Sequence, residues 1–439
     1  MAKFSPATGI GNAQPHQSGL RRYFQFFILL LAAGSIYPLI YLRQNFETTI
    51  LETFHISSSE LGTYYSMLGT MFLLTYLPSG WLADRVSPRL LLTVSMMATG
   101  MLGLWYASIP DKSALYWIFL GWGISSGLTF WAALLKGVKI LARPHEQGRF
   151  FGGLEGMRGL VEAILATAAV ALFSYYVDGK GRAAAETLPS VIMLYVYNSF
   201  AVGVLCFLFL RLKDDTPVKT AASKNNLLAD LRFLLAVPEL WLIAIIILCG
   251  YQLFWATYSF SAFLQEKYTM TASAAAFMTV AKLWMRPIGG LGAGFLGDKI
   301  GRENVLAITM TLSILGLLAL LFLPSTAGSF VLLFVVLLIG VMTYATRGLY
   351  WSILESRNIP NRVTGLAIGV ISLIAYTPDI YLPKLNGYLA DHYTGLAVYQ
   401  LYFGFIAASG IFGLIAIGCL KSRTKIKAAA QISTTVAAE

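Results

Sequence analysis

Gly80-Trp81-Leu82-Ala83-Asp84-Arg85-Val86-Ser87-Pro88-Arg89 is a short polar loop between two apolar runs, and it returns as Gly294-Phe295-Leu296-Gly297-Asp298-Lys299-Ile300-Gly301-Arg302. The two copies lie 214 residues apart (294 − 80), close to half of the 439-residue chain. A loop of Gly, Asp and bases that recurs at half-chain distance, each time joining two apolar segments, points to internal duplication of a helical membrane unit.

Composition agrees. Hydrophobic residues make up 57% of the chain and charged residues 12%, against roughly a quarter charged in an average globular domain. The charges gather in short loops between apolar runs of about 20 residues, the helical length that crosses a bilayer core. The runs do not alternate as barrel strands would. The sequence therefore predicts an all-α polytopic membrane protein of twelve transmembrane helices in two pseudo-symmetric six-helix bundles. We divide it into a disordered N-terminus (1–20), a first bundle (21–211), a central loop (212–237), a second bundle (238–421) and a tail (422–439).

Lysine and arginine orient these spans. The segments on the side of the N-terminus hold 20 bases and the opposite loops hold 4, so both termini are expected in the cytoplasm. The net charge of +11 thus reads as topology and not as a nucleic-acid footprint. Cys206, Cys249 and Cys419 have no metal-ligand spacing, and no Gly-x-x-x-x-Gly-Lys-Ser/Thr loop appears. No cofactor, metal, nucleic-acid partner or direct ATP drive is expected. A monomer in the lipid bilayer is.

The loop resembles the signature of the major facilitator superfamily: Gly, apolar, Asp, Arg or Lys, Gly, Arg between helices two and three. Gly294, Asp298, Lys299, Gly301 and Arg302 match it. The first copy keeps Gly80, Asp84, Arg85 and Arg89 but has Ser87-Pro88 where Gly is usual. With twelve spans and a central loop, the resemblance covers nearly the whole chain. It implies the major facilitator fold in a bacterial inner (plasma) membrane. Physically, a carboxylate at a helix end accepts hydrogen bonds from the open amides of a neighbouring helix N-terminus. Such a latch forms in one state and breaks in another, which makes these residues gating elements.

Inside the spans stand Arg43, Lys136, Lys139, Arg158, Lys282, Arg286, Arg347 and Lys384 against Glu155, Glu162 and Asp379, with Glu47 and Glu355 near span ends. An isolated charge at mid-bilayer costs about 3 kcal/mol or more, so such groups face a cavity or a partner. The surplus of bases predicts an anionic substrate. Glu155, Arg158 and Glu162 share one helix face, as do Lys282 and Arg286 just before Pro287. The candidate substrate-binding residues are Arg43, Lys136, Arg158, Lys282, Arg286 and Arg347, with Tyr258, Trp284, Tyr344 and Tyr376 as cavity walls. Glu155, Glu162 and Asp379 are candidates for proton or ion-pair coupling, Asp379 with Lys384 or another base as partner. Lys139 and Lys384 are read as interfacial, and snorkelling is weighed for Lys136.

Tyr41-Leu42-Arg43-Gln44-Asn45-Phe46 and the Glu146-Gln147-Gly148 turn resemble the organophosphate:phosphate antiporter family. That resemblance implies a phosphate-binding role for Arg43, and it sets Arg158 where the glycerol-phosphate carriers have a binding His. The family's second arginine, in helix seven, has no counterpart in Gln252–Tyr258. The expectation is a secondary transporter, not an enzyme, moving a small phosphorylated or carboxylated anion by alternating access with protons or a counter-anion. Two rivals stand beside it: a transporter-like sensor of a phosphorylated metabolite, and an exporter of drugs or cations.

Overall fold

In the computed structural model, residues 19–143, 146–212, 227–355 and 363–436 are described. They form twelve helical spans. Span one is Gly19–Ile40 with Arg43–Phe54, two is Ser58–Arg85, three is Pro88–Ala107, and four is Lys112–Thr129 with Trp131–Leu141. Spans five and six are Gln147–Val177 and Ala184–Phe209. In the second half, seven is Pro238–Ala256 with Phe260–Tyr268, eight is Ala272–Leu283 with Met285–Ile300, and nine is Arg302–Phe322. Ten is Ser329–Leu349 with Ser352–Glu355, eleven is Thr364–Ala375 with Pro378–His392, and twelve begins the long helix Leu396–Val436.

Ten of these are long and apolar enough to cross a membrane. The other two, spans two and eight, carry the repeated loops and are rich in Gly, Ser, Thr and Tyr or in Gly, Ala and bases. Both pack across the seam between the bundles, where part of each helix faces protein, and a lower hydropathy fits that position. Within the first bundle, span one packs on five and six, two on four, and three on six; within the second, seven packs on twelve, and ten on eight and nine. Across the seam, span two packs on eleven, five on eight, and the second half of one on seven and eight.

Two expected boundaries shift. The central segment read as loop contains the helix Leu227–Leu235, whose Leu234 is buried. The last span runs on as helix to Val436, through the segment read as a tail. The N-terminal stretch expected to be disordered lies outside the described residues up to position 18, and helix begins at Gly19.

The seam closes in one half only. On the side away from the repeated loops, Gly62 meets the Pro383 carbonyl, Gly69 meets the Asp379 backbone and Gly387 meets Ser59. Asn45 adds a polar clasp: its carbonyl accepts from Ser261 Oγ at 2.9 Å and its Oδ1 from Thr279 Oγ1 at 3.0 Å. Towards the loops, Gly80 and Gly369 on spans two and eleven have no neighbour within 4 Å at their would-be Cβ positions. The same holds for Gly156, Gly290, Gly292 and Gly294 on spans five and eight.

Six spans are broken: one at Tyr41-Leu42, four at Phe130, seven at Thr257–Ser259, eight at Trp284, ten at Tyr350-Trp351 and eleven at Tyr376-Thr377. In a membrane, a helix break frees backbone groups that lipid cannot satisfy, so it is tolerated where the backbone faces protein or a cavity. These breaks put aromatic residues in register around one central region.

Candidate functional site

Three arginines converge on that region, each laid on an aromatic ring. Arg158 of span five lies over Trp131 at 5.2 Å, Arg286 of span eight over Tyr344 at 5.6 Å, and Arg347 of span ten over Phe254 at 4.2 Å and Tyr251 at 5.5 Å. With a ring against one face, a guanidinium keeps its N–H edges free, the geometry that takes a carboxylate, phosphate or sulfonate two bonds at a time.

The helix-five face predicted from spacing is real, and its two carboxylates reach across the seam. Arg286 Nη1 donates to Glu162 Oε2 at 2.6 Å, a tight pair. Glu155 is held more loosely: its Oε2 lies 3.3 Å from Arg158 Nε and 3.4 Å from Arg286 Nη2, and its side chain is 57% exposed. Gly159 leaves room for the aliphatic stem of Arg286. Arg347 differs from both other arginines, because among the described residues it has no ion-pair partner.

Asp379 opens the second half of span eleven, one residue after Pro378, where a helix N-terminus favours negative charge. Its Oδ1 accepts from Tyr251 OH at 2.6 Å and from Trp255 Nε1 at 2.7 Å. Lys384, one of the expected partners, is exposed instead. The aromatic wall continues through Tyr258, which stacks on Tyr41 at 5.3 Å, and through Tyr376, which stands edge-on to Tyr251 at 4.9 Å and accepts from Trp351 Nε1 at 3.1 Å. Tyr344 is buried beneath Arg286. Trp284 is 39% exposed and donates to Thr167 Oγ1 at 3.1 Å, across the seam.

The remaining candidate bases are not brought to this cluster. Arg43 sits in the second half of span one, 2% exposed, paired with Glu47 at 2.6 Å and stacked on Tyr65 at 5.0 Å. Lys282 is fully buried, its ammonium donating to Thr257 Oγ1 at 2.8 Å where span seven breaks. Lys136 donates to the Ala83 carbonyl at 2.8 Å, at the end of span two. Sequence spacing put Lys282 and Arg286 on one face, but the break at Trp284 sends them to different neighbours.

The repeated loops lie apart from the arginines. Asp84 and Asp298 are exposed and accept no hydrogen bond among the described residues. Arg85 lies over Trp81, Arg89 over Phe207 and Lys299 over Phe295, while Arg302 donates to the Ser352 carbonyl at 2.7 Å. At the entry of span five, Arg22 donates to Glu146 at 2.6 Å and thereby holds that carboxyl below the usual carboxylate range. The reading of the sequence missed Tyr37, Tyr41 and Phe254 as wall residues; the i, i+4 run Tyr251, Trp255 with Tyr258 was the available signal for that face of span seven.

Comparison with known proteins agrees with this architecture. The sequence profile of the Major Facilitator Superfamily matches residues 22–383. Inner membrane protein YqcE of Escherichia coli K12 is 28% identical over 390 residues, covering 87% of this chain and 90% of that protein. Inner membrane protein YihN of the same organism is 27% identical over 405 residues, covering 90% and 94%. Among solved structures, a mutant of the nucleoside transporter NupG superposes with a TM-score of 0.71 at 14% identity, over 91% of this chain and 99% of that one. A bacterial homolog of the human lysosomal transporter Spinster, inward-facing and occupied, gives 0.64 at 15% identity, over 92% and 96%. The chain is an integral membrane protein and belongs to the Major Facilitator Superfamily of transporters.

Proposed function

We propose that this transporter moves a small organic anion, phosphorylated or carboxylated, between its two bundles by alternating access, coupled to protons or to a counter-anion. The observation that carries the reading is Arg347: a guanidinium inside the protein, stacked on Phe254, with no ion-pair partner among the described residues. A guanidinium with no carboxylate in contact is poorly satisfied in a membrane interior, and an anionic substrate supplies the direct partner. Arg158 and Arg286, from opposite bundles, flank the same region, so one anion bound there ties the bundles together. Asp379 and Glu155 are the groups to exchange protons or partners during the cycle. The excess of bases in the segments on the terminus side supports a cytoplasmic location for both termini. Asp84 and Asp298, exposed here, are the latch residues of the alternate state.

A thermal-shift screen tests the reading. Carboxylates, phosphate esters and sulfonates are compared with uncharged and cationic compounds on purified protein, then repeated with Arg347→Ala. We expect at least one anion class to raise the Tm of the wild type and to lose its effect in the variant. Stabilisation by cations alone, or anion stabilisation that survives Arg347→Ala undiminished, overturns it.

A further inference from the structure

We infer that Glu155 is a built-in occupant of the anion site: its carboxylate fills the place between Arg158 and Arg286 that a substrate's anionic group takes, and substrate binds by displacing it. This rests on the anion-site reading above and adds to it a competitor carried by the protein.

Four observations converge. One oxygen, Oε2, is shared between two arginines from opposite bundles at 3.3 and 3.4 Å, longer than a charge-assisted hydrogen bond of about 2.7–2.9 Å. The neighbouring Glu162 meets the same Arg286 at 2.6 Å, so a close approach is geometrically available on this face and Glu155 does not make it. Arg158 is nine-tenths buried, yet its Nε has no hydrogen bond; the contact with Glu155 is electrostatic proximity without a made bond. The Glu155 side chain is 57% exposed, so it has space to leave. A strut that held the bundles together would be short and enclosed, as Glu162–Arg286 is. Glu155 has the opposite character.

The charge ledger favours displacement. Arg286 keeps Glu162 throughout, so once Glu155 swings away the incoming anion meets Arg158 directly, beside a still-paired Arg286 and the charge of Arg347. Substrate thus exchanges one carboxylate–guanidinium contact for a better-formed one and pays no net cost for exposing a bare arginine. The groups acting on Glu155 from the packed spans are Tyr37 on span one, Arg286 on span eight and Arg347 on span ten, with Arg158 on its own helix and Glu162 sharing Arg286. No other described carboxylate stands between Arg158 and Arg286. A further consequence concerns selectivity: a weakly bound or uncharged solute cannot evict Glu155, so the residue also screens against ligands that lack a strong anion.

The test uses anions whose charge is constant across neutral pH, namely sulfate, methanesulfonate and benzenesulfonate. They are titrated by calorimetry and thermal shift against full-length wild type, Glu155→Gln and Glu162→Gln. If Glu155 competes, Glu155→Gln binds these anions about tenfold tighter or more, which is one decade in Kd, with its unliganded Tm near that of the wild type. Glu162→Gln lowers the unliganded Tm and gives no such gain. Anions that bind wild type and Glu155→Gln equally, or bind the variant more weakly, overturn the inference while the anion site stands. If none of the three anions binds either protein, the anion-site reading and this inference both fall.

Discussion

Adding a methyl group at Gly69 should push this protein out of the arrangement described here, and adding bulk at Gly294 should lock it in. A Cβ on Gly69 would stand 2.5 Å from the Asp379 carbonyl oxygen and 2.6 Å from its carbon, against an ordinary contact that begins at 3.4 Å. The obstacle is backbone, which cannot rotate aside, so spans two and eleven must part by about 0.9 Å, the difference between those distances. Overpacking of this kind costs about 1–3 kcal/mol, equivalent to a shift of roughly 5- to 150-fold in a two-state equilibrium. The whole cost falls on the state with the outer seam closed. A Cβ on Gly294 has nothing within 4 Å here, so the cost of Gly294→Leu should fall chiefly where the loop side closes.

The assay is double electron–electron resonance between spin labels on the outer ends of the two bundles, at Glu186 and Ser329, each in the first turn of its helix. The exposed native Cys419 is replaced by Ser, and the buried Cys206 and Cys249 are retained. Gly69→Ala and Gly62→Ala, the latter a turn and more away from Asp379 along the seam, should both populate a longer outer distance; Gly294→Leu should deplete it. If Gly62→Ala and Gly69→Ala leave the wild-type distribution intact, the glycine contacts are not specific to one state and the closed-seam reasoning is wrong. A shift of Gly294→Leu in the same direction as Gly69→Ala would defeat it equally.

Two further outcomes follow from single groups. Asp379→Asn keeps an acceptor for Tyr251 and Trp255 but cannot carry a charge, so transport in reconstituted vesicles should lose its dependence on a pH gradient while counterflow persists; unchanged pH-gradient dependence removes Asp379 from coupling. Glu146 is held below its ordinary value by Arg22. Its contribution is therefore present above the unfolded carboxylate pKa of about 4.3 and is lost as pH falls through the lower folded value. Wild-type Tm should drop below about pH 4 more steeply than that of Glu146→Gln, and parallel acid profiles would show that the pair does not contribute.

The repeated loop together with the apolar runs made duplication, twelve spans and family legible in the sequence, because lipid demands long apolar helices and leaves polar loops conspicuous. The helix breaks were readable only in part. Pro287 cannot bond to the Leu283 carbonyl and clashes with it, and span eight duly breaks at Trp284; Pro378 does the same for span eleven just after Tyr376. The breaks at Thr257 and Phe130 have no proline at all. Tertiary contacts sit at both: the Lys282 ammonium donates to Thr257, and Phe130 packs at zero exposure against neighbours such as Tyr37. Such contacts join residues tens to nearly a hundred positions apart, and no local pattern announces them. For the same reason, Lys282 and Arg286 were a sound pair on an ideal helix and are not a pair on this one.

Counting intramembrane bases gave the expectation of an anion, but the structure shows that the count is not the variable that decides it. Arg43 is cancelled by Glu47 in the second half of span one, Lys282 and Lys136 are spent on backbone and hydroxyl oxygens, and Lys384 is exposed. Around the centre stand three arginines and three carboxylates, so net charge alone argues little. What argues for an anion is the inequality of their pairing. Glu162 and Arg286 are 2.6 Å apart, Asp379 is held by Tyr251 and Trp255, Glu155 hangs between two arginines at more than 3 Å, and Arg347 has an aromatic floor and no ion-pair partner among the described residues. In a low-dielectric interior, the energy of a charge is set by its nearest partners far more than by the sum over the site. A cation substrate would have to approach Arg347 and pull Glu155 from two guanidiniums; an anion satisfies the first and replaces the second. On the proposed reading, the asymmetry in pairing favours an anion where the sum of charges does not.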